Sequence, residues 1–401
     1  MFLILLLIAA VAALVTWLTS LGVYRVAMRY RIHPPVRERD VHSRPTPRLG
    51  GVAMFIGLLA AFIVASFIPQ FSSVFSEPLR IVVLLGAVTL IVVVGVLDDL
   101  IELDWMLKLG AQLAVAIAIA LYSVQIVSLP IAGLTVGSAT LSITSTVLVL
   151  VLIMNAVNFI DGLDALVAGV TIIGATAFFT YIWILSQSLG QQNATFSLAS
   201  LITAIVIGVC LGVLPLNWHP AKMFIGDAGA LMVGLLTAVS AVAVTGQIDI
   251  AVVGGRSQLV PAFIPILLPL AILLMPLLDF VLAVLRRLLN GKSPFSADRK
   301  HLHHRLLDMG HSHFGAVLTF YAWTAVVSIG CIMFLFVPPW TAVTFVLVGF
   351  LICAIVTALP VTPRLWHSFL RLVRVRTQEL RQPGAEDEER SAASNPRETR
   401  Q

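Results

Sequence analysis

Long apolar runs constrain this chain more than any other feature. A helix needs about 20 apolar residues to cross the hydrocarbon core of a bilayer. The sequence holds about eleven such runs, at 2–24, 50–69, 80–97, 107–123, 142–160, 164–185, 197–216, 225–245, 261–284, 315–337 and 340–360. The expected fold class is all-α, a polytopic membrane protein of about eleven transmembrane helices. Residues 124–141 are only weakly apolar, contain Pro130 with several Gly, Ser and Thr, and read as an outer loop or surface segment.

Composition closes the soluble alternative. Hydrophobic residues make up 59% of the chain and charged residues 11%, against about a quarter charged in soluble domains. A soluble fold this apolar lacks the polar surface to cover its own core. Cys210, Cys331 and Cys353 all sit in apolar runs without metal-binding spacing, so they read as packing residues. The first run has no basic residue before it, unlike a cleaved signal peptide, and reads as a retained first span.

Charge sets the expected orientation. With the first helix entering from outside, the inner segments are 25–49, 98–108, 155–164, 217–225, 285–314 and 361–401. Every Lys and Arg except Arg80 and Arg256 falls in them. That positive-inside bias predicts an outer N-terminus and a cytoplasmic C-terminus. It divides the chain into a transmembrane domain at 1–360 and a polar, largely disordered cytoplasmic tail at 361–401. No internal repeat is evident, which weighs against a secondary transporter, the rival from another class.

Five polar clusters then fall on the same inner face: DVHSRPTPRLGG at 40–51, LDD at 97–99, NAVNFIDGLD at 155–164, NWHPAKMFIGDAG at 217–229 and SADRKHLHHRL at 296–306. The expected outer loops are short and plain. This asymmetry predicts chemistry at the inner surface.

Asp98 and Asp99 follow a long apolar run, where adjacent carboxylates are costly unless solvated, paired or metal-bound. They read either as an interfacial turn or as a general base with a metal- or phosphate-orienting partner. Neighbours on a helix point about 100° apart, so the two need not share a role. Asn155, Asn158, Asp161 and Asp164 recur every third residue and form one polar stripe if helical. Such a stripe suits ribose, base or metal contacts, or alternatively helix capping. Asp227 lies between Gly226 and Gly229 before an apolar helix, placed to hold Mg²⁺ on a diphosphate or to cap the helix.

His301, His303, His304 and Arg305 offer two readings, zinc or phosphate. The basic surroundings, with Arg299 and Lys300, favour a polyanion. His311 and His313 read as bystanders, and His219 is given no role. Arg44 and Arg48 suit phosphate at the interface, although the positive-inside bias alone explains many such residues. Asp279 fits a structural ion pair as well as a direct role.

The order of these motifs resembles the polyprenyl-phosphate N-acetylhexosamine-1-phosphate transferases, members of glycosyltransferase family 4, over roughly residues 1–360. The resemblance implies a Mg²⁺-dependent enzyme, with Mn²⁺ as a substitute, of eleven spans and often dimeric. It places the enzyme in the bacterial inner membrane with a cytoplasmic active site. The implied partners are UDP-GlcNAc, a polyprenyl phosphate and membrane lipid, with no nucleic acid. In that resemblance Asp98 and Asp99 are the catalytic pair. Asp227 and Asn158 serve the metal. Asp161, Asp164, Asn217, His301, His303 and His304 bind the nucleotide-sugar, while Arg44 binds phosphate; on the charge reading above, Arg305 joins the first set and Arg48 the second. Leu302 interrupts the histidine run, which favours UDP-GlcNAc over a muramoyl-pentapeptide donor. The expected reaction is attack by the acceptor phosphate on the sugar-bearing phosphorus with release of UMP. A two-step route through a covalent aspartyl intermediate stays open.

Overall fold

The computed structural model describes residues 1–32, 46–126, 138–188, 194–245, 288, 306–307 and 309–358. The run at 261–284, the residues Arg44, Asp279, His301, His303, His304 and Arg305, and the tail at 361–401 lie outside the described residues. Among the described residues the chain is helical and contains no strand.

Eleven α-helices are described: α1 (Phe2–Tyr30), α2 (Gly50–Ser66), α3 (Ser72–Phe75), α4 (Pro78–Ile101), α5 (Trp105–Tyr122), α6 (Ala139–Phe159), α7 (Leu166–Ser188), α8 (Ala194–Asn217), α9 (Gly226–Thr245), α10 (His313–Met333) and α11 (Pro339–Ala358). Nine of them are long and apolar enough to cross a membrane. A tenth candidate is α2 joined to the short stretch Pro69–Phe75, across a bend of 97°. These ten coincide with ten of the eleven apolar runs.

Helix α9 is the centre of the bundle. Every residue of it except Asp227 is buried, and α2, α4, α6 and α8 pack round it. Small residues make that possible, because lipid gives apolar helices little reason to associate and close backbone approach must supply the attraction. A methyl group added at Gly51 would collide with the backbone of Gly229, and one at Gly95 with Ala228. One at Gly234 would lie 2.8 Å from the Cα of Met154 on α6. The outer helices instead present Leu3, Val82, Leu148, Trp340 and Leu351 as exposed apolar side chains, the surface a lipid-facing helix needs.

The helix ends are set locally. Glu102 takes the left-handed conformation at φ 53° and closes α4 by donating its N–H to Asp98 O. Asp104 caps α5 by accepting from the Met106 N–H at 2.8 Å. Helix α6 stops at Phe159, and the chain turns through 160–165 with Ala165 at φ 64°. The expected stripe is therefore broken: Asn155 and Asn158 lie on the helix, whereas Asp161 and Asp164 lie on the turn that follows. The segment before α2 runs alongside the one before α9. Phe224 N–H donates to Pro47 O at 2.9 Å, and Gly50 and Gly51 donate to Phe224 O and Ile225 O at 2.9 and 2.8 Å.

Candidate active site

Eight helix ends meet at one end of the bundle: the starts of α2, α5, α7, α9 and α10 and the finishes of α4, α6 and α8. The strongest junction is ionic. Lys108, one turn into α5, sends its ammonium to Asp98 Oδ2 at 2.7 Å. The same nitrogen pairs with Asp227 Oδ2 in the first turn of α9. Two carboxylates from different helices thus share one cation, with all three side chains only partly exposed. Asp98 Oδ1 also accepts the Leu103 N–H at 3.0 Å, which fixes its direction.

Asp99 has different surroundings. Its Oδ1 accepts from the Asp227 N–H at 3.2 Å and its Oδ2 from the Ala228 N–H at 3.4 Å. A carboxylate at a helix N-terminus satisfies orphan N–H groups and faces the positive end of the helix dipole. Asp99 therefore holds the first turn of α9, and with it Asp227. Gly226 enters that turn at φ 72°, and an added methyl would lie 2.5 Å from both Arg48 O and Asp99 Oδ2. Only glycine fits there.

Asn158, Asp161 and Arg48 extend the site. The Asn158 amide interacts with Asp227, and its Nδ2 is buried with no hydrogen bond of good geometry. Asp161 is crowded by protein although part of its surface stays open. Burial first, and the neighbouring Asp227 charge second, push its carboxyl up to about 7, against the lowering effect of Arg48 and the Gly226 N–H. Arg48 is exposed at the mouth.

Asp164 and Asn217 serve the neighbouring turn. Asp164 is 1% exposed, with Oδ2 at 2.7 Å from His219 Nδ1 and accepting the Ala221 N–H at 3.1 Å. Asn217 is 2% exposed; it accepts from the Ala165 N–H at 3.0 Å and donates to Met223 O at 3.1 Å. Its amide is spent on joining the 160–165 turn to the segment before α9, so any effect of Asn217 on a nucleotide is exerted through that segment. Tyr321 on α10 donates to Ala165 O at 2.6 Å and ties a further helix to the same turn.

The structure thus gathers Asp98, Asp99, Asn158, Asp161, Asp227 and Arg48, and puts Asp164 and Asn217 beside them. Sequence reasoning missed Lys108, because a lysine at the inner end of a span also satisfies the positive-inside rule. It also gave no role to Gln112. That side chain exchanges amide hydrogen bonds with Asn155, 2.5 Å from Asn155 Nδ2 to Gln112 Oε1 and 3.4 Å in return, and so locks α5 to α6 below Lys108.

The sequence pattern of glycosyl transferase family 4 matches residues 81–245, which include every carboxylate of this cluster. The decaprenyl-phosphate N-acetylglucosaminephosphotransferase of Mycolicibacterium smegmatis is 36% identical over 366 residues, covering 89% of each chain. The chain belongs to glycosyl transferase family 4. Its similarity extends to the Mycobacterium leprae decaprenyl-phosphate N-acetylglucosaminephosphotransferase, 37% identical over 369 residues and covering 89% of this chain and 90% of the relative. The Escherichia coli undecaprenyl-phosphate alpha-N-acetylglucosaminyl 1-phosphate transferase is 29% identical over 328 residues, covering 79% and 80%.

The family 4 site fits a divalent cation by its own chemistry. Magnesium takes oxygen ligands, commonly one or two carboxylates completed by phosphate oxygens and water. Asp98 and Asp227 already converge on a single positive charge, and the buried Asn158 amide beside them offers a hydrogen-bond donor to an anionic ligand.

Proposed function

We propose that this chain transfers N-acetylglucosamine-1-phosphate from UDP-GlcNAc to a membrane polyprenyl phosphate and releases UMP. The reaction takes place on the cytoplasmic face of a bacterial inner membrane. The observation that supports it most is the convergence of Asp98 and Asp227 on one cation at a helix-end junction, in a chain similar along most of its length to a protein named as a decaprenyl-phosphate N-acetylglucosaminephosphotransferase.

Both substrates are anions, so charge repulsion is the main barrier. Asp98 and Asp227 hold Mg²⁺, which when bound offsets the charge of the donor diphosphate. Asp99 keeps the first turn of α9 in register, so that the Asp227 carboxylate faces Asp98. Lys108 would share those two carboxylates with the ion, and its ammonium on a flexible four-carbon arm is placed to neutralise a phosphate oxygen beside them. Asn158 donates from its buried amide to the same anionic group. Arg48 meets the diphosphate at the mouth. Asp161 contacts the nucleotide sugar, and Asp164 and Asn217 position the segment before α9. A polyprenyl phosphate keeps its head at the interface, which is where these helix ends meet. The acceptor phosphate attacks the sugar-bearing phosphorus. Inversion at phosphorus supports that single displacement, and retention supports an aspartyl intermediate.

The test uses purified protein in nanodiscs, labelled UDP-GlcNAc, polyprenyl phosphate and Mg²⁺. Labelled lipid and UMP in equal amounts, abolished by chelation, support the reading. Absence of labelled lipid under these conditions, with every other UDP-sugar tested also inert, removes it.

A further inference from the structure

Beside the Asp98–Asp227 pair, three residues meet in a second cluster, among them Asp164, which also positions the segment before α9. Asp164 comes from the turn after α6, His219 from the segment before α9, and His313 is the first residue of α10. One ligand-type atom from each lies within 4.8 Å of the others. The two imidazoles stack, with ring centroids 5.0 Å apart and planes 11° from parallel. We propose that Asp164, His219 and His313 form a binding site for a transition-metal ion of the zinc class, separate from the magnesium site.

The donor types decide the class of ion. Two imidazole nitrogens with one carboxylate suit zinc and its neighbours, whereas magnesium prefers an all-oxygen shell. Three protein ligands leave a fourth position for water, and the His219 side chain, 44% exposed, leaves a path for it to enter. A tetrahedral ion with bonds of about 2.0–2.1 Å holds its ligand atoms roughly 3.4 Å apart, so the trio needs only side-chain adjustment to close on one. The surroundings fix the ligands in advance. The Ala221 N–H holds Asp164 Oδ2, and Asn217 pins both ends of the segment that bears His219. Partners of this kind set ligand orientation in known metal sites. An ion here ties three elements together beside Asp161 and so stiffens the segment leading to Asp227. The inference rests on these residues alone and stands independently of the reaction proposed above.

The probe is Co²⁺, whose visible bands report coordination. Full-length protein in nanodiscs is stripped with a chelator, then titrated with Co²⁺ under excess Mg²⁺ to fill the oxygen-donor site. The expected result is one tightly held Co²⁺ with the intense bands of a four-coordinate ion, displaced by Zn²⁺. His219→Gln and His313→Gln each weaken that binding by more than ~10²-fold, beyond what loss of a merely supporting partner causes. A variant with His301, His303 and His304 all changed to Gln retains it. Size-exclusion profiles check folding, and Asp164→Asn serves as a third arm if one histidine variant fails to fold. The proposal is overturned if no Co²⁺ is taken up in excess Mg²⁺. It is equally overturned if the bands and stoichiometry survive in the folded histidine variants.

Discussion

Asp227 and Asp164 both end in clusters built on the chain between α8 and α9, but they have been given different partners. Asp227 faces a second carboxylate across the Lys108 ammonium, an arrangement with one negative charge in excess that suits a divalent cation. Asp164 faces two imidazoles and a backbone N–H, in a pocket braced by Asn217. The first cluster joins helices that cross the membrane, and its cation sits on a flexible four-carbon arm that can yield. The second joins two connecting segments to the start of α10 and is held by backbone and amide hydrogen bonds. The same residue type therefore reads as a working site in one place and as a fastening in the other, and what decides is whether its partner can leave.

Five substitutions break or sharpen that contrast. The largest effect is expected at Asp227→Asn and Asp98→Asn. Each lowers turnover by at least ~10²-fold, the scale of losing a charge stabiliser, measured as labelled lipid formed per minute. Next comes the packing that aims Asp227. Gly95→Leu forces a side chain into Ala228 and destabilises the bundle by about 1–3 kcal/mol, read as a lower thermal midpoint with reduced activity. Lys108→Gln removes the competing ammonium. It reduces turnover but tightens the apparent Mg²⁺ affinity on the order of tenfold, the scale of one charge-assisted hydrogen bond. An Mg²⁺ titration that shifts the other way removes the idea that Lys108 and the ion share a place. The smallest effect is expected at His219→Gln. Turnover changes by only about two- to fivefold, because the partly exposed His219–Asp164 hydrogen bond is worth about 0.5–1 kcal/mol. A ~10²-fold loss there would erase the distinction between the two clusters.

The membrane architecture was legible because bilayer thickness sets helix length directly. The run at 225–245 and α9 at Gly226–Thr245 differ by a single residue. Convergence of LDD, NAVNFIDGLD and NWHPAKMFIGDAG was legible too, since alternating spans bring every second connection to one side. The polar stripe at 155–164 was misjudged past Phe159, because α6 ends there and helical periodicity says nothing about the turn at 160–165 that carries Asp161 and Asp164. The different duties of Asp98 and Asp99 needed coordinates: adjacent letters do not reveal that one meets an ammonium and the other the N–H groups of a helix 128 residues away in sequence. His219 and His313 were set aside for a related reason. Each is unremarked alone, and only the packing of α10 against α7 and its turn brings them face to face.

The most direct test of the central claim follows Mn²⁺ by electron paramagnetic resonance, titrated into the protein in nanodiscs with UDP-GlcNAc present. One bound Mn²⁺ that Mg²⁺ displaces, and that binds at least ~10-fold more weakly in both Asp98→Asn and Asp227→Asn, is the predicted result. Mn²⁺ binding in both variants indistinguishable from the parent chain would mean that this carboxylate pair does not hold the ion, and the proposed site would be contradicted.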